Sequence, residues 1–276
     1  MTLIELTVVL LVLIGLAGLM IPYVSGFMSR THDGTGTGNL GRLNNAVQRF
    51  NVEKMRLPDD MHSLYSTVDT DVYQDLMNPA VFVVQSVDGT AVAGLAEKVI
   101  SDSLNLAGLQ TVYGMRDSST AASATFEAAD IATGKLDHTA GPINMVTIAP
   151  ANVDGVAGAE TAAEVVEVAF GLPVGSENDL CNAYIAVGIG AESELAGTVI
   201  SDVPVHFAQQ GSMGPENKYN RFVAVIRAQK ALAPAVAGCP MMAMPATFVG
   251  SAMAMMPNHV IGLAEELENA YGNISN

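Results

Sequence analysis

Tryptophan is absent from the 276 residues, and aromatic side chains make up only 5% of them. Any core must therefore be built from small aliphatic groups, and half of the chain is hydrophobic, inflated by Ala and Val. Positive charge is also scarce, with 12 Lys and Arg against 28 Asp and Glu and a formal net charge of −16. Residues 1–60 carry Arg30, Arg42, Arg49, Lys54 and Arg56 against Glu5, Asp33, Glu53, Asp59 and Asp60, so the whole excess lies in residues 61–276. A body of that sign argues against nucleic-acid binding by simple electrostatics, because phosphate contacts need Lys and Arg. It fits a solvated surface, either for solubility alone or for divalent cations and salty water. Cysteine is limited to Cys181 and Cys239, which stand in no CxxC or Cys/His spacing. In an exported protein an even count suggests one disulfide, and closing a loop of about 60 residues stabilises by roughly 4 kcal/mol in the chain-entropy model. Two reduced cysteines are the alternative.

Catalytic signatures are missing too. The chain contains no GxSxG, HExxH, Walker loop or EF-hand pattern, and its five histidines are scattered at 32, 62, 138, 206 and 259. Gly188-Ile189-Gly190 opens a dinucleotide fingerprint but meets Ser193 where the third glycine belongs. The chain reads as a non-enzyme without a resident cofactor. One acidic cluster, Asp69, Asp71 and Asp75, is of the kind that holds Ca²⁺, against the simpler reading of a solvated acidic turn. Met241, Met242, Met244, Met253, Met255 and Met256 fall within 16 residues. Thioethers bind Cu(I), but adaptable packing at a subunit contact is the stronger reading.

What the chain does have is an extreme apolar start. Residues 6–29 hold 24 consecutive positions without a charged side chain. As a helix this run would extend roughly 36 Å, enough to cross a bilayer's hydrocarbon core. A signal peptide would need a basic leader, a shorter apolar run and a small-residue cleavage site. No Lys or Arg precedes this run and no clear cleavage site follows, so the segment is expected to be retained. Glu5 is its oddity. A carboxylate one turn into an apolar helix is expensive in hydrocarbon and marks a function. Its cationic partner would be an α-amino group, its own or that of a neighbouring copy stacked with an axial offset; a hydrated glutamate near a membrane surface is the plainer alternative.

Met1-Thr2-Leu3-Ile4-Glu5-Leu6-Thr7-Val8-Val9, continuing to Ile21-Pro22, resembles the mature N-terminus of type IV pilins and type II secretion pseudopilins. The usual first residue of that family is Phe, where this chain has Met1. The resemblance implies cleavage of a leader by a prepilin peptidase and methylation of the new amine. It implies that Glu5 neutralises the amine of an adjacent subunit during assembly, that Pro22 kinks the helix, and that Gly15 and Gly18 loosen the stretch before it. The partners it implies are further copies of the chain in a homopolymer, the pilus assembly machinery, and the bacterial inner membrane before export to a surface filament. Filament conduction by stacked rings finds little support, since only Tyr23, Phe27 and Phe50 lie on the helix.

Beyond Arg30 the pattern departs from that family. Four glycines in eight residues, Gly34, Gly36, Gly38 and Gly41, predict a broken or extended linker, each costing roughly 1 kcal/mol against Ala in a helix; a continuous helix whose glycines admit close neighbours is the alternative. Leu43, Ala46, Val47 and Phe50 then give one apolar face at helical spacing, ended by Pro58. The run from Phe50 through Arg56-Leu57-Pro58-Asp59 to Leu64 also resembles the helix exit of pseudopilins. Strands are expected at Val81–Val87, Gln110–Met115, Asn144–Ala149, Val165–Phe170, Tyr184–Ile189, Val203–Phe207 and Phe222–Ile226. Helices are expected at Gly94–Leu106 and His259–Tyr271, the latter capped by Asn258. Ser118–Ser123 and the sequon at Asn273 are candidate glycan carriers.

The expected fold class is α+β: a long hydrophobic N-terminal helix, broken at 34–41, followed by a large β-rich globular head with an antiparallel sheet. The expected organisation is a transmembrane or filament-core helix over 1–33, a linker and amphipathic helix over 34–57, and a head over 58–276, divided near 150–160. The function this favours is a structural subunit of a type IV pilus-like surface filament. The competitors are a minor pseudopilin of a secretion or DNA-uptake machine and a membrane-tethered periplasmic binding protein.

Overall fold

The computed structural model describes residues 3–66, 81–115, 131–148, 162–173, 180–205 and 221–254, together with helical positions at 263, 266, 267, 269 and 270. Of the expectations above, Met1, Asn258, the acidic cluster Asp69, Asp71 and Asp75, the division near 150–160, the two glycan candidates and the histidines at 206 and 259 fall outside these residues. So do the side chains of Gly18, Pro22 and His32.

The chain begins with helix α1 (Leu3–Lys54), a rod of about 78 Å at 1.5 Å per residue. It leads into strand β1 (Met61–Ser66), then β2 (Phe82–Val87), helix α2 (Ala96–Leu106), β3 (Thr111–Met115), β4 (Ile131–Asp137), β5 (Ile143–Ile148), helix α3 (Ala162–Ala169), β6 (Asn182–Ile189), β7 (Phe222–Gln229) and β8 (Thr247–Met253). All eight strands join one sheet that forks at β6. One edge of β6 pairs along its whole length with β7, which carries β8. The other edge is shared: Tyr184–Ala186 pair with β5, and Gly188 pairs with His62 of β1. Beyond β5 lies β2, and beyond β1 lie β3 and β4.

Alternation of side chains across the pleat explains why the middle of the sheet is apolar throughout. Ile185, Val187 and Ile189 of β6 and Phe222, Ala224, Ile226 and Ala228 of β7 face one way, against Leu43, Val47 and Phe50 of α1 and Ile100 and Leu104 of α2. Tyr184, Ala186, Val223 and Val225 face the other way, against Ala163, Val165 and Val166 of α3 and Leu263 and Leu267 near the C-terminus. Helices thus cover both faces of the central strands.

The expected fold class is corrected by these observations. The glycine stretch does not break α1, whose helix runs through 34–41. Packing overrides propensity here, because the turns that follow are fixed on the sheet by Leu43, Val47 and Phe50. Among the described residues no helix is long and apolar enough to cross a membrane. The sheet is mixed rather than antiparallel, since β1 and β3 run parallel. The pilin-like combination of a membrane-length apolar helix with an antiparallel head is therefore not what the structure shows.

Smaller corrections follow the same logic. Val165–Phe170 is helical through Ala169, because Ala163, Val166 and Phe170 recur at helical spacing over the sheet. Phe170 is seated against Gly250, where a Cβ would come within 2.5 Å of its ring. Val203–Val205 forms no strand, and Phe207 lies outside the described residues. Helix α1 stops at Lys54, ahead of Pro58, as Met55 adopts φ 55° in the left-handed region that terminates helices.

Candidate assembly surface and the clamp that holds it

The start of α1 lies off the sheet. Ile4, Leu6, Val8, Val9, Leu10, Leu11, Val12, Leu13, Ile14 and Leu16 all expose more than half of their surface, up to 74% at Leu11. Their positions cover every side of the helix, so no rotation would turn them away from solvent. Monomeric soluble proteins rarely show a contiguous apolar surface of this kind without a partner for it. Glu5 stands among these residues and is itself exposed. Gly15 has open space where a Cβ would be built, so nothing within the chain demands glycine there.

The other end of α1 is fastened to the head by several independent contacts. Leu43, Val47 and Phe50 are buried to 1% exposure or less. Asn44 Oδ1 accepts hydrogen bonds from the backbone N–H of Ser251 at 2.9 Å and from its hydroxyl at 2.8 Å, which ties the helix to β8. Past the helix end, Arg56 makes a two-pronged pair with Glu194, at 2.5 Å from Nη1 and 2.6 Å from Nη2. Its guanidinium also lies 5.4 Å from the centre of the Phe50 ring. This geometry is a planar fork on a carboxylate with a ring beneath it, which lysine could not reproduce. Gly108 makes room for the Arg56 stem: its φ is 87°, and a Cβ there would sit 2.6 Å from Arg56 Cβ.

Asp59 and Asp60 extend the clamp into the sheet. The N–H groups of Gln110 and Thr111 donate to Asp59 Oδ1 at 3.0 and 2.8 Å. The Thr111 hydroxyl donates to Asp60 Oδ1 at 2.7 Å, and Lys135 reaches Asp60 Oδ2 at 2.6 Å. The hydrogen bonds from Arg56 hold the Glu194 carboxyl below the ordinary carboxylate range, and Glu194 in turn raises Arg56. The chain therefore leaves α1 through a charged collar that fixes its direction.

Two buried histidines lie beneath this collar. His62 is fully buried on β1 and donates from Nε2 to Glu192 Oε2 at 2.9 Å. Burial pushes its pKa down, against the raising effect of Glu192, while the bond lowers the Glu192 carboxyl. Both directions describe a neutral imidazole donating to a carboxylate. Gly190 borders the ring so closely that a Cβ would fall 2.2 Å from it. That is the structural reason for the second glycine of the abortive fingerprint. His138 is also buried; its Nε2 donates to the Leu109 carbonyl at 2.8 Å, so Nδ1 accepts from the Ser101 hydroxyl at 2.7 Å. A serine beside a histidine suggests a nucleophile and base. Here Ser101 is 1% exposed, and a Cβ on Gly89 would lie 3.0 Å from its Oγ, so the pair ties α2 to the turn after β4.

The other sequence candidates separate. Cys181 and Cys239 form the expected disulfide, with S–S 2.02 Å and Cα–Cα 5.4 Å. Of the six methionines, Met253 is core and Met241, Met242 and Met244 are exposed, while Met255 and Met256 lie outside the described residues. Among the described residues no group of three or more His, Cys, Asp or Glu is placed to hold a metal ion. Sequence reading missed the Arg56–Glu194 and His62–Glu192 pairs, whose partners are 138 and 130 residues apart with no motif linking them. Comparison with protein-family models, curated proteins and solved structures found no match.

Proposed function

We propose that this chain is the structural subunit of a type IV pilus-like surface filament and polymerises through the apolar start of α1. The observation that carries the reading is the exposure of ten large aliphatic side chains between Ile4 and Leu16 with one carboxylate, Glu5, among them. Fully burying one such side chain is worth roughly 1.5–3 kcal/mol. The ten expose 53–74% of their surface, so burying them supplies a driving force of the same order as the estimated 4–15 kcal/mol cost of association, and copies that share this surface associate. Burial sets strength but not register, because it is non-directional. Glu5 supplies register, by pairing with the N-terminal amine of a neighbouring copy in a low-dielectric setting where an unpaired charge is costly. The clamp at Arg56 and Glu194 holds each head in a fixed direction relative to the bundled segments. The reading carries with it a prepilin-type peptidase and an assembly machinery as partners, a period at the inner membrane before assembly, and an extracellular location afterwards.

The test is electron microscopy of filaments sheared from cells that make the chain, with the subunit identified by mass. Long filaments containing it are expected, and Glu5→Ala should abolish or cripple them. Normal filaments from Glu5→Ala would overturn the register mechanism. Short periplasmic assemblies alone would favour a pseudopilin, and a monomer with its segment in lipid would favour a tether.

A further inference from the structure

Four methionines in the described head are sealed from solvent: Met61, Met115, Met145 and Met253 are each 2% exposed or less. Met241, Met242 and Met244 are the opposite, at 79%, 77% and 57%. This exposure is imposed by the fold. Cys239 anchors the loop to Cys181. On the far side of the three methionines, the N–H of Met244 donates to Gln229 Oε1 at 2.8 Å and its carbonyl accepts from the Ser103 hydroxyl at 2.7 Å. The N–H of Ala246 donates to the Ser103 carbonyl at 2.9 Å, and Ala233 N–H donates to the Pro240 carbonyl at 2.9 Å. A loop pinned on both sides thus presents three flexible, polarizable thioethers to water. Leu180, next to Cys181 of the disulfide, is exposed as well.

We infer that Met241, Met242 and Met244 form a peroxide-oxidation site that converts an apolar ridge of the head into a polar one. In the reaction the thioether sulfur attacks one oxygen of hydrogen peroxide. The O–O bond breaks, an S–O bond forms, and the displaced hydroxide takes the remaining proton and leaves as water. Sulfur loses two electrons and the peroxide gains them, giving methionine sulfoxide. Accessibility decides which sulfurs react, and no core contact of these side chains is lost when they do, so the ridge changes polarity while the head stays folded.

The experiment treats the full chain with dilute hydrogen peroxide and follows each methionine by peptide mass spectrometry, with Met55, 90% exposed, as a solvent-exposed reference. Met241, Met242 and Met244 should react on the timescale of Met55 and at least tenfold faster than Met61, Met115, Met145 and Met253, with an unchanged unfolding midpoint and a fall in apolar-dye fluorescence above the constant signal of the exposed start of α1. The triple variant Met241→Leu, Met242→Leu, Met244→Leu keeps the ridge apolar and should retain dye binding after peroxide. Equal oxidation of core and loop methionines, a fall in the unfolding midpoint that tracks loop oxidation, or the same dye loss in the triple variant would overturn the inference.

Discussion

Acidification should destabilise the head in a window set by its two buried histidines. His62 and His138 both have folded pKa values depressed below the ordinary 6.5, chiefly by burial. The unfolded chain therefore takes up protons near pH 6.5 that the folded chain refuses. Stability rises with pH wherever the unfolded state binds more protons, so it is fully present above about pH 6.5 and declines below it. Each histidine contributes a slope of at most about 1.4 kcal/mol per pH unit, so the pair contributes at most about 2.7. The depressed carboxyls Glu192 and Glu194 act in the same direction only below their unfolded value of 4.5, while Glu266, raised by burial, works against the histidines as the pH falls toward that value and offsets part of their slope. With a urea m-value of about 3 kcal/mol/M, a loss of 1.4 kcal/mol lowers the midpoint by about 0.5 M. Urea titrations from pH 7.5 to 5 read this directly, and His62→Gln and His138→Gln should each remove part of the slope. A midpoint indifferent to pH across that interval, or an equal slope in the double variant, would refute the reasoning.

Other outcomes follow from the same contacts. Replacing Cys181 and Cys239 by Ser opens a loop whose ends are 58 residues apart, and should cost roughly 4 kcal/mol by chain entropy, read as a fall in the unfolding midpoint matched by reduction of the native chain. Phe50→Ala removes a ring 1% exposed that also lies under Arg56, and should cost about 3–5 kcal/mol; less than 1 kcal/mol would contradict the packing of α1 on the sheet. Gly190→Ala forces a methyl into the His62 ring at 2.2 Å and should cost about 1–3 kcal/mol, with a shifted His62 imidazole resonance by NMR.

The parts of the fold that the chain announces are those whose apolar pattern is local and unbroken. β5, β6 and β7 lie within a residue or two of their expected starts, because runs such as Tyr184–Ile189 are apolar on both faces and bounded by turn residues. β1 is illegible because all six of its residues are buried, the polar His62, Ser63 and Ser66 among them, and Leu64 adopts φ 56° within a register shift, so no apolar–polar alternation shows. β4 and β8 carry Gly134 and Gly250 inside them and each pairs with a single neighbour, so neither shows a strong strand pattern. The glycine run at 34–41 misled for the opposite reason, since a local penalty was overridden by distant packing of Leu43, Val47 and Phe50. In the candidate site, the apolar start and Glu5 were legible as sequence. The clamp was not, because Arg56 and Glu194 meet only after the sheet has formed.

The measurement closest to the central claim is a cross-link between copies. Both native cysteines are consumed in one disulfide, so mixing copies that carry Leu6→Cys with copies that carry Leu10→Cys, at positions 59% and 56% exposed, places single free thiols one helical turn apart, the offset that pairing Glu5 with a neighbour's first residue requires. If the starts of α1 from different copies bundle, mild oxidation should convert most of the assembled chain to disulfide-linked dimers, and Glu5→Ala in the same background should lower their yield by scattering the register. A thiol that stays monomeric under conditions where filaments of this subunit are present would contradict assembly through this surface.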